Sequence, residues 1–220
     1  MIIMVASREE ILEAVKEARE KSTDRNFTQS FDLSVSVRGV DLSNPENRIN
    51  EEVSLPSGTG KSQKIAVFAD GELAERARDA GADRVMSRNE LEELGDDKKQ
   101  AKNVAEEYSS FLAQADLMPI VGKELGPVLG PRGKMPDPVP PNEDPSNLIK
   151  SARSKVRVSI RENPVANLLV GREDMDDEEI AENIDSVLDF ITSQLPKGPR
   201  QVDSITIKTT MGKPVTIEVH

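Results

Sequence analysis

Pro56-Ser57-Gly58-Thr59-Gly60 is followed a few residues later by Ile65-Ala66-Val67-Phe68-Ala69, and the change of texture across this junction decides how the chain is divided. Before it, apolar residues alternate with polar ones. At 65–69 they run without a break, as in a strand covered on both faces. Upstream, Phe31, Leu33, Val35 and Val37 alternate with Asp32, Ser34, Ser36 and Arg38, the pattern of a strand with one wet face. Ser7-Arg8-Glu9-Glu10 has the form of a capping box, and Ile11, Leu12, Val15 and Ala18 follow at helical spacing, predicting a helix from Arg8 to Lys21. A second alternating run, Glu51 to Leu55, is expected to pair with the first strand as an antiparallel ladder.

Downstream of the junction the order is a helix (72–80), a short strand (84–86), charged helices (89–94 and 97–107), a strand (110–113) and a further helix. This β-α-β-α alternation predicts a small parallel, Rossmann-like sheet. Another helix is expected over 145–153. From Val156 the half-wet alternation returns, in 156–160 and again near 168–170. A long amphipathic helix (176–193) follows, with acidic residues in its first turn, where they complement the helix dipole. Two last strands are expected at 204–208 and 215–219. The fold class is therefore α/β and α+β in two domains. A discontinuous, split-β-α-β-like α+β domain is built from residues 1–61 and 155–220, and a Rossmann-like α/β domain (62–154) is inserted between. The two connections, near 57–61 and near 155, would form a hinge.

With 36% hydrophobic but only 3% aromatic residues, the cores must be aliphatic. No Cys is present and the one histidine is His220, which leaves no thiol chemistry, His-based metal cluster or catalytic triad. The apolar run 1–6 is too short for an export signal and gives way at once to Arg8-Glu9-Glu10; neither this nor any other stretch predicts a membrane span. A net charge of −11 argues against indiscriminate nucleic-acid binding, because such affinity comes from neutralising phosphates. The acidity is spread along the chain, so any RNA surface must be a local patch.

Gly126 to Pro141 reads as neither helix nor strand, since its prolines remove donors and its glycines permit reversals. It is a shaped loop carrying Arg132 and Lys134, either a structural crossover or a presentation of positive charge to an anion. Ser57-Gly58-Thr59-Gly60-Lys61-Ser62 ends like a phosphate-binding loop, but Leu55 stands where that motif needs glycine, and Pro56 disturbs the amide cradle; an interdomain turn is the other reading. Lys61 is a candidate for contact with RNA phosphate in either case. The carboxylates at Glu92-Glu93, Asp96-Asp97 and 174–179 lie on helix faces or caps without convergent partners and read as solvated surface. Neither a catalytic constellation nor a cofactor motif emerges.

Two separate segments suit RNA. Arg25-Asn26-Phe27-Thr28-Gln29-Ser30 is a polar approach to the first strand whose one aromatic either stacks on a ribose or base or caps the core. Thr209-Thr210-Met211-Gly212 lies between two strands, as a plain hairpin turn or as hydroxyls and backbone brought close to a sugar-phosphate surface. RNA helices are often read through shape and 2′-hydroxyls, which neutral donors and acceptors match.

Gly130-Pro131-Arg132-Gly133-Lys134-Met135-Pro136 resembles the signature of the L-one family of ribosomal proteins. So, in family order, do residues 26–32, 53–61, 114–119 and 209–212, so that the likeness covers essentially the whole chain, in an archaeal wording. The resemblance implies a structural constituent of the large ribosomal subunit, cytoplasmic, not an enzyme, without a cofactor, and a monomer when free. It implies binding to large-subunit rRNA, organisation of the mobile lateral stalk, help in releasing exit-site tRNA, and repression through the protein's own mRNA. Carried over by motif, the RNA-binding residues are Phe27, Thr28, Ser30, Asp32, Thr209, Thr210, Met211 and Gly212, with Asn167 matched less closely; Lys61, Arg132 and Lys134 are auxiliary or interdomain. The chain departs from the family's Thr-Met-Gly-Pro at one place, where Lys213 stands between Gly212 and Pro214. Two rivals remain: an acidic nucleotide-binding Rossmann protein using 57–62 or 126–134, and an acidic protein-interaction module that never touches RNA.

Overall fold

The structure, a computed structural model, describes residues 5–60, 63–140 and 143–219; Lys61 lies outside them. Its contacts group into two compact units, Met1–Lys61 with Ser154–His220, and Ser62–Arg153. In chain order the first elements are α1 (Arg8–Glu20), β1 (Ser30–Val37) and β2 (Ile49–Ser54). The second unit contributes β3 (Ile65–Phe68), α2 (Gly71–Asp79), β4 (Arg84–Met86), α3 (Arg88–Asp96), α4 (Lys98–Glu107), β5 (Ser110–Gln114), α5 (Met118–Glu124), α6 (Gly126–Leu129), β6 (Asp137–Val139) and α7 (Pro145–Ser154). The chain then returns through β7 (Lys155–Ile160), β8 (Val165–Arg172), α8 (Asp177–Gln194), β9 (Val202–Thr209) and β10 (Val215–Ile217).

In the first unit an antiparallel sheet runs in the order β10-β9-β1-β8. The period-2 alternation of β1 buries Phe31, Leu33, Val35 and Val37 and leaves Ser30, Asp32, Ser34 and Ser36 half-exposed on the opposite face. Against the apolar face lie Ile11, Val15 and Ala18 of α1 and Ile180, Ile184, Val187, Leu188 and Ile191 of α8. Both helices begin with capping boxes, Ser7 with Glu10 and Asp176 with Glu179. Arg19 joins the two helices: its Nε donates to Asp177 Oδ1 at 2.8 Å, and its guanidinium lies 5.2 Å from the centre of the Phe31 ring.

The expected β1–β2 ladder does not form. Both edges of β1 are already occupied, by β8 and β9, and β2 pairs instead with β7 in a separate two-stranded antiparallel sheet. There Glu52 accepts from Arg157 at 2.8 Å and lies 3.6 Å from the Lys155 ammonium. Beyond β2, the segment up to Gly60 is fastened by one buried amide. Asn183 Oδ1 accepts from Ser57 N at 3.1 Å, while its Nδ2 donates to Gly58 O and Val170 O at 2.7 and 2.8 Å. Gly60 (φ 66°) lies so close to Met175 and Arg172 that a side chain there would collide.

The second unit holds a parallel sheet in the order β4-β3-β5-β6. One face is covered by α2 and α7 through Leu73, Ala77, Ile149 and Ala152, the other by α3 to α6 through Leu91, Val104, Val121 and Leu129. Covering on both faces is why 65–69 reads as an unbroken apolar run. Gly126 to Pro140, the described part of the Pro/Gly-rich segment, is more regular than its composition suggests. Pro127 sits at the start of α6, where a missing N–H costs nothing, and Pro138 lies in β6 at the sheet edge, where proline is tolerated.

Replacing Asn183 by Ala leaves buried backbone groups without partners and is expected to destabilise the first unit by about 2–3 kcal/mol, measured as faster native-state hydrogen exchange of the β8 and β9 amides.

Candidate nucleic-acid interface

At one end of the first unit three segments meet: the approach to β1 (25–30), the β9–β10 turn (210–214) and the β8–α8 connection (173–176). The antiparallel pairing places them together, because Ser30 stands opposite Arg172 and Phe31 opposite Thr209. The turn is bonded to β1 through Ser30. Thr210 N donates to Ser30 O at 3.0 Å, and Ser30 N donates to Thr210 Oγ1 at 3.0 Å. Gly212 N closes the turn on Thr209 O at 3.1 Å. A Cβ at Gly212 would collide with the Thr209 hydroxyl, so only glycine fits this turn.

The sequence-predicted residues fall into groups. Phe27 and Met211 are 52% and 56% exposed, large apolar side chains held at the surface on polar loops. Thr28 and Thr210 are exposed beside them. Thr28, Arg25, Asn26 and Phe27 line a shallow cleft closed by Glu173 and Asp174. Thr209, by contrast, is fully buried and turns its hydroxyl to Ser22 Oγ, 3.2 Å away, so its side chain supports the turn from within. Lys213 is exposed beyond Gly212, and the Gly212–Thr209 bond forms with it in place.

The half-wet face of the sheet continues the patch. Ser30, Asp32 and Ser34 share it with Asn167 of β8 and Thr206 of β9, both of which stand opposite Ser34. Thr216 of β10 pairs with Thr206, so a row of small neutral polar groups crosses four strands. Next to this row, Asp32 lies opposite Lys208 and Leu169. Burial pushes the Asp32 carboxyl above its ordinary range, and Lys208 only partly offsets that.

Gln29 and Glu173 carry much of this geometry and escaped the sequence reading, because a lone Gln in a polar loop and a Glu in an acidic run give no signal until the loops meet. The auxiliary cations serve their own unit. Lys134 Nζ donates to Ala105 O and Tyr108 O, both at 2.8 Å, satisfying carbonyls at the end of α4. Burial, with Arg132 adding to it, holds its ammonium below the ordinary lysine range, opposed by Glu106. Arg132 donates to Val128 O and Glu106 Oε1. The Ser57 amide is likewise taken by Asn183 rather than presented to a phosphate.

The sequence profile of the Ribosomal protein L1p/L10e family matches residues 15–213. The chain belongs to this family. It is 53% identical over 210 residues to the large ribosomal subunit protein uL1 of Methanothermobacter thermautotrophicus, covering 96% of this chain and 99% of the relative. With the uL1 of Thermococcus kodakarensis it shares 47% over 218 residues, covering 98% and 100%. The likeness is thus to archaeal L1 proteins along their full length. As a member of the L1 family the chain is a structural ribosomal protein of the cytoplasm, not an enzyme. Among the described residues no helix is long and apolar enough to cross a membrane, and no cluster of carboxylates could hold a metal ion.

Two outcomes follow from this geometry. The Gly212→Ala variant is expected to lose about 1–3 kcal/mol, since the Thr209 contact is backed by core, seen as a lowered thermal midpoint. For Asp32, a folded-state pKa above the unfolded one means that the folded form binds the proton more tightly. Its contribution to stability is therefore present in acid and lost as pH rises through the folded pKa. The Asp32→Asn variant should accordingly be more stable than wild type at pH 7, with the advantage shrinking towards pH 3, read from denaturation midpoints across that range.

Proposed function

We propose that this L1-family protein binds large-subunit rRNA through the end of its first unit, using Phe27, Thr28, Ser30, Asp32, Asn167, Thr210, Met211 and Gly212 as the contact surface and the buried Thr209 as its support. The observation that carries the reading is the pair Phe27 and Met211. Two large apolar side chains are exposed on polar loops beside a glycine turn that lets a backbone approach closely. Neutral hydroxyls and an amide on the sheet face match ribose 2′-hydroxyls, and Asp32 would accept from a 2′-hydroxyl or a guanine amino group.

In this reading the protein is a constituent of the large subunit and forms its lateral stalk. The inserted unit swings about the two connecting segments as exit-site tRNA leaves. The same surface, offered a copy of its rRNA site on the protein's own mRNA, would repress translation. Arg132 and Lys134 are left an auxiliary part, since their hydrogen bonds hold the inserted unit together; Lys61 is assigned to the connection or to a phosphate beside it.

The test is binding of the purified protein to a transcribed large-subunit stalk rRNA fragment. Thr210→Ala and Met211→Ala should each weaken it about tenfold, the loss of roughly 1.4 kcal/mol. Because few cations line the surface, affinity should fall with salt along a shallow log–log slope of about −2 to −3. Unchanged affinity in both variants would mean that the contact surface lies elsewhere.

A further inference from the structure

The Met211 amide is held by a side chain that cannot itself touch RNA. Gln29 is only 1% exposed, and its Oε1 accepts from Met211 N at 2.9 Å. Its Nε2 is bonded on the other side, to Ser22 Oγ at 2.7 Å, Thr23 O at 3.0 Å and Glu173 Oε1 at 2.9 Å. Gln29 N donates to Glu173 Oε2 at 2.9 Å, and Glu173 N returns a bond to Gln29 O at 3.0 Å. Glu173 is fixed in turn, by Ser22 Oγ on its carboxylate at 2.9 Å and by Arg19 Nη1 on its backbone carbonyl at 2.6 Å.

We infer that Gln29, anchored by Glu173, is the positioning residue that sets the Thr210–Gly212 turn and the Phe27 loop in register for RNA; this rests on the RNA-binding reading above. The chemistry demands an amide at this position. The Glu173 carboxylate offers only acceptors on one side and the Met211 amide offers only a donor on the other, so the side chain of residue 29 must donate and accept from the same planar group. A glutamate at 29 would still accept from Met211 but would face Glu173 acceptor to acceptor, carboxylate to carboxylate. An alanine would abandon both. Because Gln29 lies two residues from Phe27 and binds Met211, it ties the two exposed apolar groups to one buried point. A contact surface assembled from segments so distant in sequence needs such a tie to be ready before RNA arrives.

The experiment uses the full chain as wild type, Thr210→Ala, Gln29→Ala, Gln29→Glu, and the exchanged pair Gln29→Glu with Glu173→Gln. Affinity for the stalk rRNA fragment and hydrogen exchange of the Met211 amide are measured together. The β1–β9 ladder amides report whether each variant is folded. Both single Gln29 variants should bind about tenfold more weakly. Gln29→Ala should also speed exchange at Met211, leaving the ladder amides protected. The exchanged pair restores a donor facing an acceptor and should bind better than Gln29→Glu alone. The inference is overturned if Thr210→Ala weakens binding while the Gln29 variants do not. It is equally overturned if Met211 exchange is unmoved by Gln29→Ala, or if the exchanged pair is no better than Gln29→Glu. Wild-type protein that fails to bind the fragment overturns the RNA-binding reading itself, and the role of Gln29 with it.

Discussion

Everything in the first unit depends on β1 being hydrogen-bonded along both edges, to β8 on one side and β9 on the other. A strand with one free edge would have accepted β2, its neighbour in sequence, and made a local hairpin. Instead, β1 pairs only with strands more than a hundred residues away. Those pairings bring the two ends of the chain into one sheet and leave the stretch between them to form a unit of its own. They also assemble the proposed contact surface, since residues 26–32, 167–175 and 206–212 meet only because the registers Ser30–Arg172 and Phe31–Thr209 are kept. A shift by one residue would turn Asp32 and Ser34 inward and Phe31 outward.

Much of this was legible in the sequence, and for identifiable reasons. The alternation in 31–37, the unbroken run at 65–69 and the spacing of Ile180, Ile184, Val187 and Ile191 each report how many faces of an element are covered. That information is local and survives in a single chain. Pairing is not local: nothing in 49–54 says that its partner is 155–160 rather than 30–37. Proline and glycine in 126–141 disguised a helical turn and an edge strand, because both residues are tolerated at element ends and edges, where the propensity argument is weakest. At the candidate site, Phe27 and Met211 could be named from motif resemblance. Gln29 and Glu173 could not, because their importance lies in reciprocal hydrogen bonds between loops that only the fold brings together.

The acidic balance of the chain and a nucleic-acid surface are compatible because they occupy different kinds of residue. The proposed contacts are hydroxyls, an amide, two apolar side chains and a glycine backbone, none of which adds charge. Asp32 is the exception. Its partial burial makes the ionised form costly in the free protein, and a donor supplied by RNA would relieve that cost. A surface of this kind gains discrimination from matched hydrogen bonds more than from general attraction to phosphate.

The distance in sequence between β1 and its partners has a consequence for how the protein is made. When β1 leaves the ribosome, neither β8 nor β9 exists. At ordinary synthesis rates of about 5–20 residues per second, the strand waits on the order of ten seconds with both edges unpaired. The inserted unit is under no such delay, since its parallel strands and covering helices are contiguous and complete by residue 153. The middle of the protein can therefore be folded while the first strand is still waiting for the last quarter of the chain. Half of the residues of that waiting strand, those facing out, are polar: Ser30, Asp32, Ser34 and Ser36. A strand obliged to stay soluble until its partners arrive is served by these polar side chains, two of which, Ser30 and Asp32, are proposed to meet RNA afterwards.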